Sequence, residues 1–82
     1  MILHILKDPE NRRAIEVIRQ SVGNSVSLVL IQEAVRMTDP LPGTVFHLSE
    51  DAAARGVHPS SKPISYPDFL HLIFEADSVV VW

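Results

Sequence analysis

The chain has 82 residues, a formal net charge of −3 and a pI near 5.7; hydrophobic residues make up 46% of it and the mean hydropathy is +0.17. It contains no cysteine, which excludes a disulfide framework, a thiolate zinc site and any covalent carriage of sulfur on a thiol. Its seven Lys and Arg are scattered, so no basic stripe is present to displace counterions from a phosphate backbone, and no direct nucleic-acid binding is expected.

The first element in chain order is a short apolar strand, Ile2 to Leu6, interrupted only by His4. Asp8, Pro9 and Glu10 follow with the pattern of a helix start: a capping carboxylate, a proline with its φ already set, and an acid for the positive end of the helix dipole. That helix is predicted to reach about Val22. Ala14, Ile15, Val17, Ile18 and Val22 form its core stripe, and Gly23-Asn24 stops it.

Ser25 to Glu33, SVSLVLIQE, is the most informative stretch. Its apolar run is continuous instead of alternating, which marks a strand buried on both faces, as in parallel sheets covered by helices. A short helical segment, Ala34 to Thr38, comes next and is ended by Asp39-Pro40. Thr44 to Leu48 reads as a third strand. Ser49 is the expected N-cap of a brief helix over Glu50 to Arg55, with Gly56 as its left-handed C-cap. Pro63 to Ser65 reads as a fourth strand. Ser65 and Asp68 have capping-box spacing ahead of a helix running to about Ala76, and Ser78 to Trp82 is a final apolar strand.

This alternation predicts one α/β domain spanning 1–82, a small parallel sheet of four to five strands covered by helices and joined by right-handed crossovers. The expected order is 2-1-3-4, with the last strand beside the fourth. A domain of this size hides only about 60 to 65% of the surface of its unfolded chain. Phe69, Leu70, Leu72, Ile73 and Phe74 are also more apolar residues than one helical stripe holds. Both points lead to the expectation of an oligomer.

Few constellations carry chemistry. In open α/β sheets ligands gather beyond the carboxyl ends of the strands, here Lys7 and Asp8, Gln32 and Glu33, and Ser49, Glu50 and Asp51. That rim is mostly acidic and has no glycine-rich loop, which disfavours nucleotide binding. His4 and His47 are expected on neighbouring strands, where Glu50 or Asp8 would complete a metal site; the plainer reading, partly buried strand histidines with each ring N–H satisfied by a backbone carbonyl, is preferred because no HxH or HExxH spacing is present. No G-x-S-x-G elbow places a serine nucleophile. Tyr66 and Trp82 are either interface anchors or core fillers beside apolar runs. No metal or cofactor is expected. The opening residues lack a basic segment and no apolar run approaches 18 residues, so the expected location is the cytoplasm, with no membrane association.

Four segments together resemble the DsrH/TusB family of sulfur-relay subunits: LIQEAV (Leu30 to Val35), LSEDAAARG (Leu48 to Gly56), ISYPDFLHLIFEAD (Ile64 to Asp77) and the terminal Trp82. The opening ILHILKDP is similar as well. The resemblance implies a DsrEFH-like, flavodoxin-related three-layer sandwich, without catalysis of its own, that assembles with DsrE/TusD-like and DsrF/TusC-like subunits into a cytoplasmic persulfide relay. Such relays serve tRNA 2-thiouridine synthesis or sulfur oxidation. The main sulfur-carrying cysteine belongs to the DsrE/TusD-type partner, and some DsrH-type members add one in the first helix. Here Ile15, Val17 and Ile18 occupy that region, and the segment between Met37 and Thr44 is shorter than in relatives. The expected partner interface comprises Gln32, Glu33 and Arg36, then Glu50, Asp51 and Arg55, and on the last helix Tyr66, Leu70 and Phe74. The alternative is self-association as a stand-alone homo-oligomeric binding protein.

Overall fold

A computed structural model describes residues 1–21 and 25–82. Its five strands form one parallel sheet: β1 (Ile2–Leu6), β2 (Val26–Leu30), β3 (Thr44–Leu48), β4 (Lys62–Ile64) and β5 (Ser78–Val81). Three α-helices connect them: α1 (Arg12–Gln20), α2 (Ser49–Arg55) and α3 (Tyr66–Glu75). A tight 3₁₀ turn over Gln32–Arg36 links β2 to β3. The predicted α/β class is therefore observed.

The strand order is β4-β3-β2-β1-β5, not the predicted 2-1-3-4 with the last strand beside the fourth. From β1 to β4 each strand is laid beside its predecessor in the same direction. A right-handed crossover made repeatedly in one direction puts every connection on the same side of the sheet. Accordingly α1, the 3₁₀ turn and α2 all pack on one side, where Leu6, Leu28, Leu30, Ala14, Ile18, Ala34, Val35 and Ala52 form a single buried cluster. The return from β4 to β5 runs the other way and carries α3 to the opposite side. There Leu3, Ile5, Val29, Leu48, Ile64 and Phe69 form the second cluster.

Local chemistry moves several boundaries. The helix start expected at Asp8-Pro9-Glu10 is instead a turn: the Asp8 carboxylate accepts the Glu10 N–H at 2.9 Å, and Asn11 becomes the N-cap, its Oδ1 accepting the Ala14 N–H at 3.1 Å. Starting the helix at Arg12 aligns Ala14 and Ile18 as the buried i, i+4 pair and turns Val17 outward, contrary to its predicted core role. The helix ends at Gln20; the predicted extension to Val22 and the Gly23-Asn24 stop lie outside the described residues. The segment predicted as a helix over Ala34 to Thr38 is the 3₁₀ turn, displaced two residues earlier. Ser49 does not cap α2: Leu48 occupies that position, and the Ser49 hydroxyl donates across to the Ile64 carbonyl at 3.0 Å. Gly56 (φ 65°) and Ser65, whose Oγ accepts the Asp68 N–H at 3.3 Å, end α2 and begin α3 as predicted.

Candidate functional site

The carboxyl ends of β2 and β3 bring the family-like segments LIQEAV and LSEDAAARG into direct contact. Gln32 takes a left-handed backbone conformation, φ 52°, which is uncommon for a residue with a side chain. That conformation aims its N–H at Asp51, whose Oδ2 accepts it at 2.7 Å. Next to it, Glu33 Oε2 accepts from Arg36 Nε at 2.8 Å and from Arg55 Nε at 3.2 Å, and Arg55 also donates to the Asp51 carbonyl at 3.2 Å. The two guanidinium groups, Arg36 first, hold the Glu33 carboxyl below its ordinary range. Five of the predicted interface residues, Gln32, Glu33, Arg36, Asp51 and Arg55, thus form one network. The sixth interface residue predicted on these two segments, Glu50, is in the first turn of α2, where its charge complements the helix dipole.

The chemistry open to this rim is recognition. Glu33 is neutralised by two arginines and Asp51 is committed to a backbone N–H, so neither carboxylate is poised as a general base. A separate concavity of about 750 Å³ runs along α1 between Glu10, Arg12, Glu16, Arg19 and Asp39, but it is an open trough walled by charged side chains.

The histidines follow the plainer reading in being buried strand residues, but the ring partners are the side chains of Trp82 and Ser61 where backbone carbonyls were expected. His4 and His47 are not on neighbouring strands: β2 lies between them, pairing Leu28 with His4 and Leu30 with His47. Both rings are buried and both are satisfied. The Trp82 indole N–H donates to His4 Nδ1 at 3.1 Å with the rings stacked at 15°, and His47 Nδ1 lies 2.9 Å from Ser61 Oγ. Acceptance of the indole N–H fixes His4 as neutral, with its proton on Nε2. Burial lowers the pKa of both rings. Among the described residues, no three His, Asp or Glu side chains come together as metal ligands, and no helix is long and apolar enough to cross a membrane.

Tyr66, Leu70 and Phe74 lie apart from the rim, on α3. Phe69, Leu72, Ile73 and Ala76 turn inward, and Asp68, His71 and Glu75 line the flank above Phe46, Lys62 and Pro63. Helical spacing therefore puts Tyr66, Leu70 and Phe74 on the other flank, towards β1 and β5. All three are exposed, Phe74 at 85%. Trp82 is half-buried against the α1-side cluster, so of its two proposed roles the structure assigns core filling. Sequence reasoning missed Val79 and Val81. They share a sheet face with Leu3 and Ile5, yet Val81 is 59% exposed because α3 does not extend over β5. The only sequence signal was the absence of any charge or proline in Ser78–Val81.

The fold is α/β, with a structural neighbour of the DsrEFH-like fold. Among solved structures the chain is similar to the crystal structure of the ychN protein from E. coli, with a TM-score of 0.68, 18% identity, and coverage of 99% of this chain and 97% of that chain. No family model matches the sequence, and no curated protein matches it.

Proposed function

We propose that this chain is a non-catalytic structural subunit of a cytoplasmic persulfide-relay complex, docking through its carboxyl-edge rim onto a cysteine-bearing DsrE/TusD-like subunit beside a DsrF/TusC-like one. The observation that carries the reading is the joining of LIQEAV and LSEDAAARG into one ion-paired surface, on a DsrEFH-like fold, in a chain without a thiol. In open α/β sheets that edge is where ligands meet the fold. With its carboxylates tied and no cysteine, this chain offers a partner's persulfide a shaped wall and takes no covalent part in transfer. The sulfur would go on to tRNA 2-thiouridine or to sulfur oxidation, according to the partners.

The test is affinity purification from the native host without reductant, followed by intact-mass analysis. Recovery of two small α/β proteins, one bearing a persulfide, supports the reading, and Arg55→Glu should abolish their capture. Recovery of the chain alone overturns it in favour of a stand-alone homo-oligomeric binding protein. The uncovered apolar face of α3 and β5 favours that second reading.

A further inference from the structure

The two edges of the sheet differ in a way that bears on what pairs with them. The β4 edge, Lys62–Ile64, carries a lysine and a proline, the two residues that most effectively stop another strand from adding. The β5 edge, Ser78–Val81, is SVVV, with neither charge nor proline. Its ladder to β1 turns the Trp82 N–H inward to the Ile5 carbonyl at 2.9 Å. Alternation along a strand then points the backbone groups of Val80 inward as well and those of Val79 and Val81 outward, away from the sheet.

We infer that β5 is the self-pairing edge of this protein: two copies join their β5 strands antiparallel about a two-fold axis at Val80, making one continuous ten-stranded sheet. In that register Val79 of one copy faces Val81 of the other, and each such pair exchanges two backbone hydrogen bonds. The occupant is a second copy for two reasons. First, a two-fold interface sets each residue close to its own copy, so charges at the axis repel; Ser78–Val81 has none, whereas Lys62 would oppose itself at the other edge. Second, the area is sufficient. A two-fold axis normal to the sheet keeps both α3 helices on the same side, with their Tyr66, Leu70 and Phe74 flanks turned towards each other above the Val79 and Val81 pairs. Those five are among the six exposed large hydrophobics of the described residues. Together they offer about 500 Å² per copy, which with the strand backbone brings the pair into the roughly 1,200–2,000 Å² range of stable interfaces.

The inference goes beyond the relay reading and does not rest on it: the rim of Gln32 and Arg55 lies elsewhere, and the test uses this chain alone. The purified protein is examined by sedimentation at tens of micromolar. The expected species is about 18 kDa, twice the 9.1 kDa of the chain; a 9.1 kDa species overturns the inference. Val81→Pro removes an outward N–H that the monomer does not use, so it should give a monomer with an unchanged far-ultraviolet circular dichroism spectrum. Val81→Lys leaves the backbone intact but sets two like charges near the axis, and should weaken association at least about tenfold, by roughly 1.4 kcal/mol. A Val81→Lys protein that stays as dimeric as the parent overturns β5 pairing, even if the proline variant fails to fold.

Discussion

The two sides of the sheet were built by the same chain under the same crossover rule, yet one is closed and the other is not. On the α1 and α2 side three successive connections, all laid in one direction, cover the strands until Leu6, Leu28, Ala14, Ile18 and Ala34 are fully buried. On the α3 side a single ten-residue helix makes the return from β4 to β5 and stops short of covering Val79 and Val81. Topology decides which side is complete. The apolar residues of β5 are no less hydrophobic than those of β2, but they lie beyond the reach of the one helix that returns. Both sides hold buried core, since Leu3, Val29 and Phe69 are covered on the α3 side, but the capacity for association lies on that side alone.

The largest expected effect tests the closed side. Leu28 lies at 0% exposure in the middle of the central strand β2, and Leu28→Ala should cost about 2–5 kcal/mol in denaturant unfolding. For a domain of this size that is a large fraction of the total, on the order of 4–12 kcal/mol. A cost below 1 kcal/mol would mean that the covered side is not the stabilising one. Next in size is Gly43, where the chain turns into β3 at φ +85°: a Cβ there would sit 2.7 Å from the Val26 carbonyl oxygen. Gly43→Ala should therefore destabilise by about 1–3 kcal/mol, through backbone strain and the forced parting of β2 and β3.

How much of this was legible in the sequence depends on the kind of signal. The strands showed as continuous apolar runs, and the α3 cap showed because Ser65 and Asp68 have the spacing a hydroxyl needs to reach an N3 amide. The order of strands was not legible, since Val26–Leu30 and Ser78–Val81 are both unbroken apolar runs and nothing local says which is central. The α1 start was misread because Asp8 and Asn11 are both competent caps, and the choice was made by which register turns Ala14 and Ile18 inward. At the candidate site the rim residues were legible as polar residues just past strand ends. The left-handed Gln32 and the sharing of Glu33 between two arginines were not, because both depend on β2 and β3 being neighbours.

The pH response sharpens the comparison, since both buried histidines are on the closed side. Burial depresses His4 and His47 below the ordinary value of 6.5, so the folded state favours the neutral rings. Their contribution to stability is fully present above 6.5, the unfolded value, and declines as pH falls through it towards the depressed folded values. Denaturation midpoints should drop between about pH 8 and pH 5. A midpoint that rose with acid would contradict the burial of these rings. Trp82→Phe, which leaves His4 Nδ1 without its donor, should cost about 1 kcal/mol at neutral pH.

The smallest effect on the folded chain is the one that most directly separates the two sides. Phe74 is the most exposed large apolar side chain on the open side, and at 85% exposure it gives up almost nothing to water when replaced. In dilute solution, where each chain unfolds alone, Phe74→Ser should change stability by no more than about 0.5 kcal/mol, despite removing a whole aromatic ring. At high concentration the parent protein should gain stability by mass action as copies pair, so its unfolding midpoint rises with concentration. The serine variant should lose part of that rise. If Phe74→Ser instead cost as much in dilute solution as Leu28→Ala, Phe74 would belong to the core cluster around Phe69 and not to an exposed face. With the cost confined to concentrated solution, the apolar excess on the outer flank of α3 serves contacts between chains, leaving the fold to the two clusters buried against the sheet.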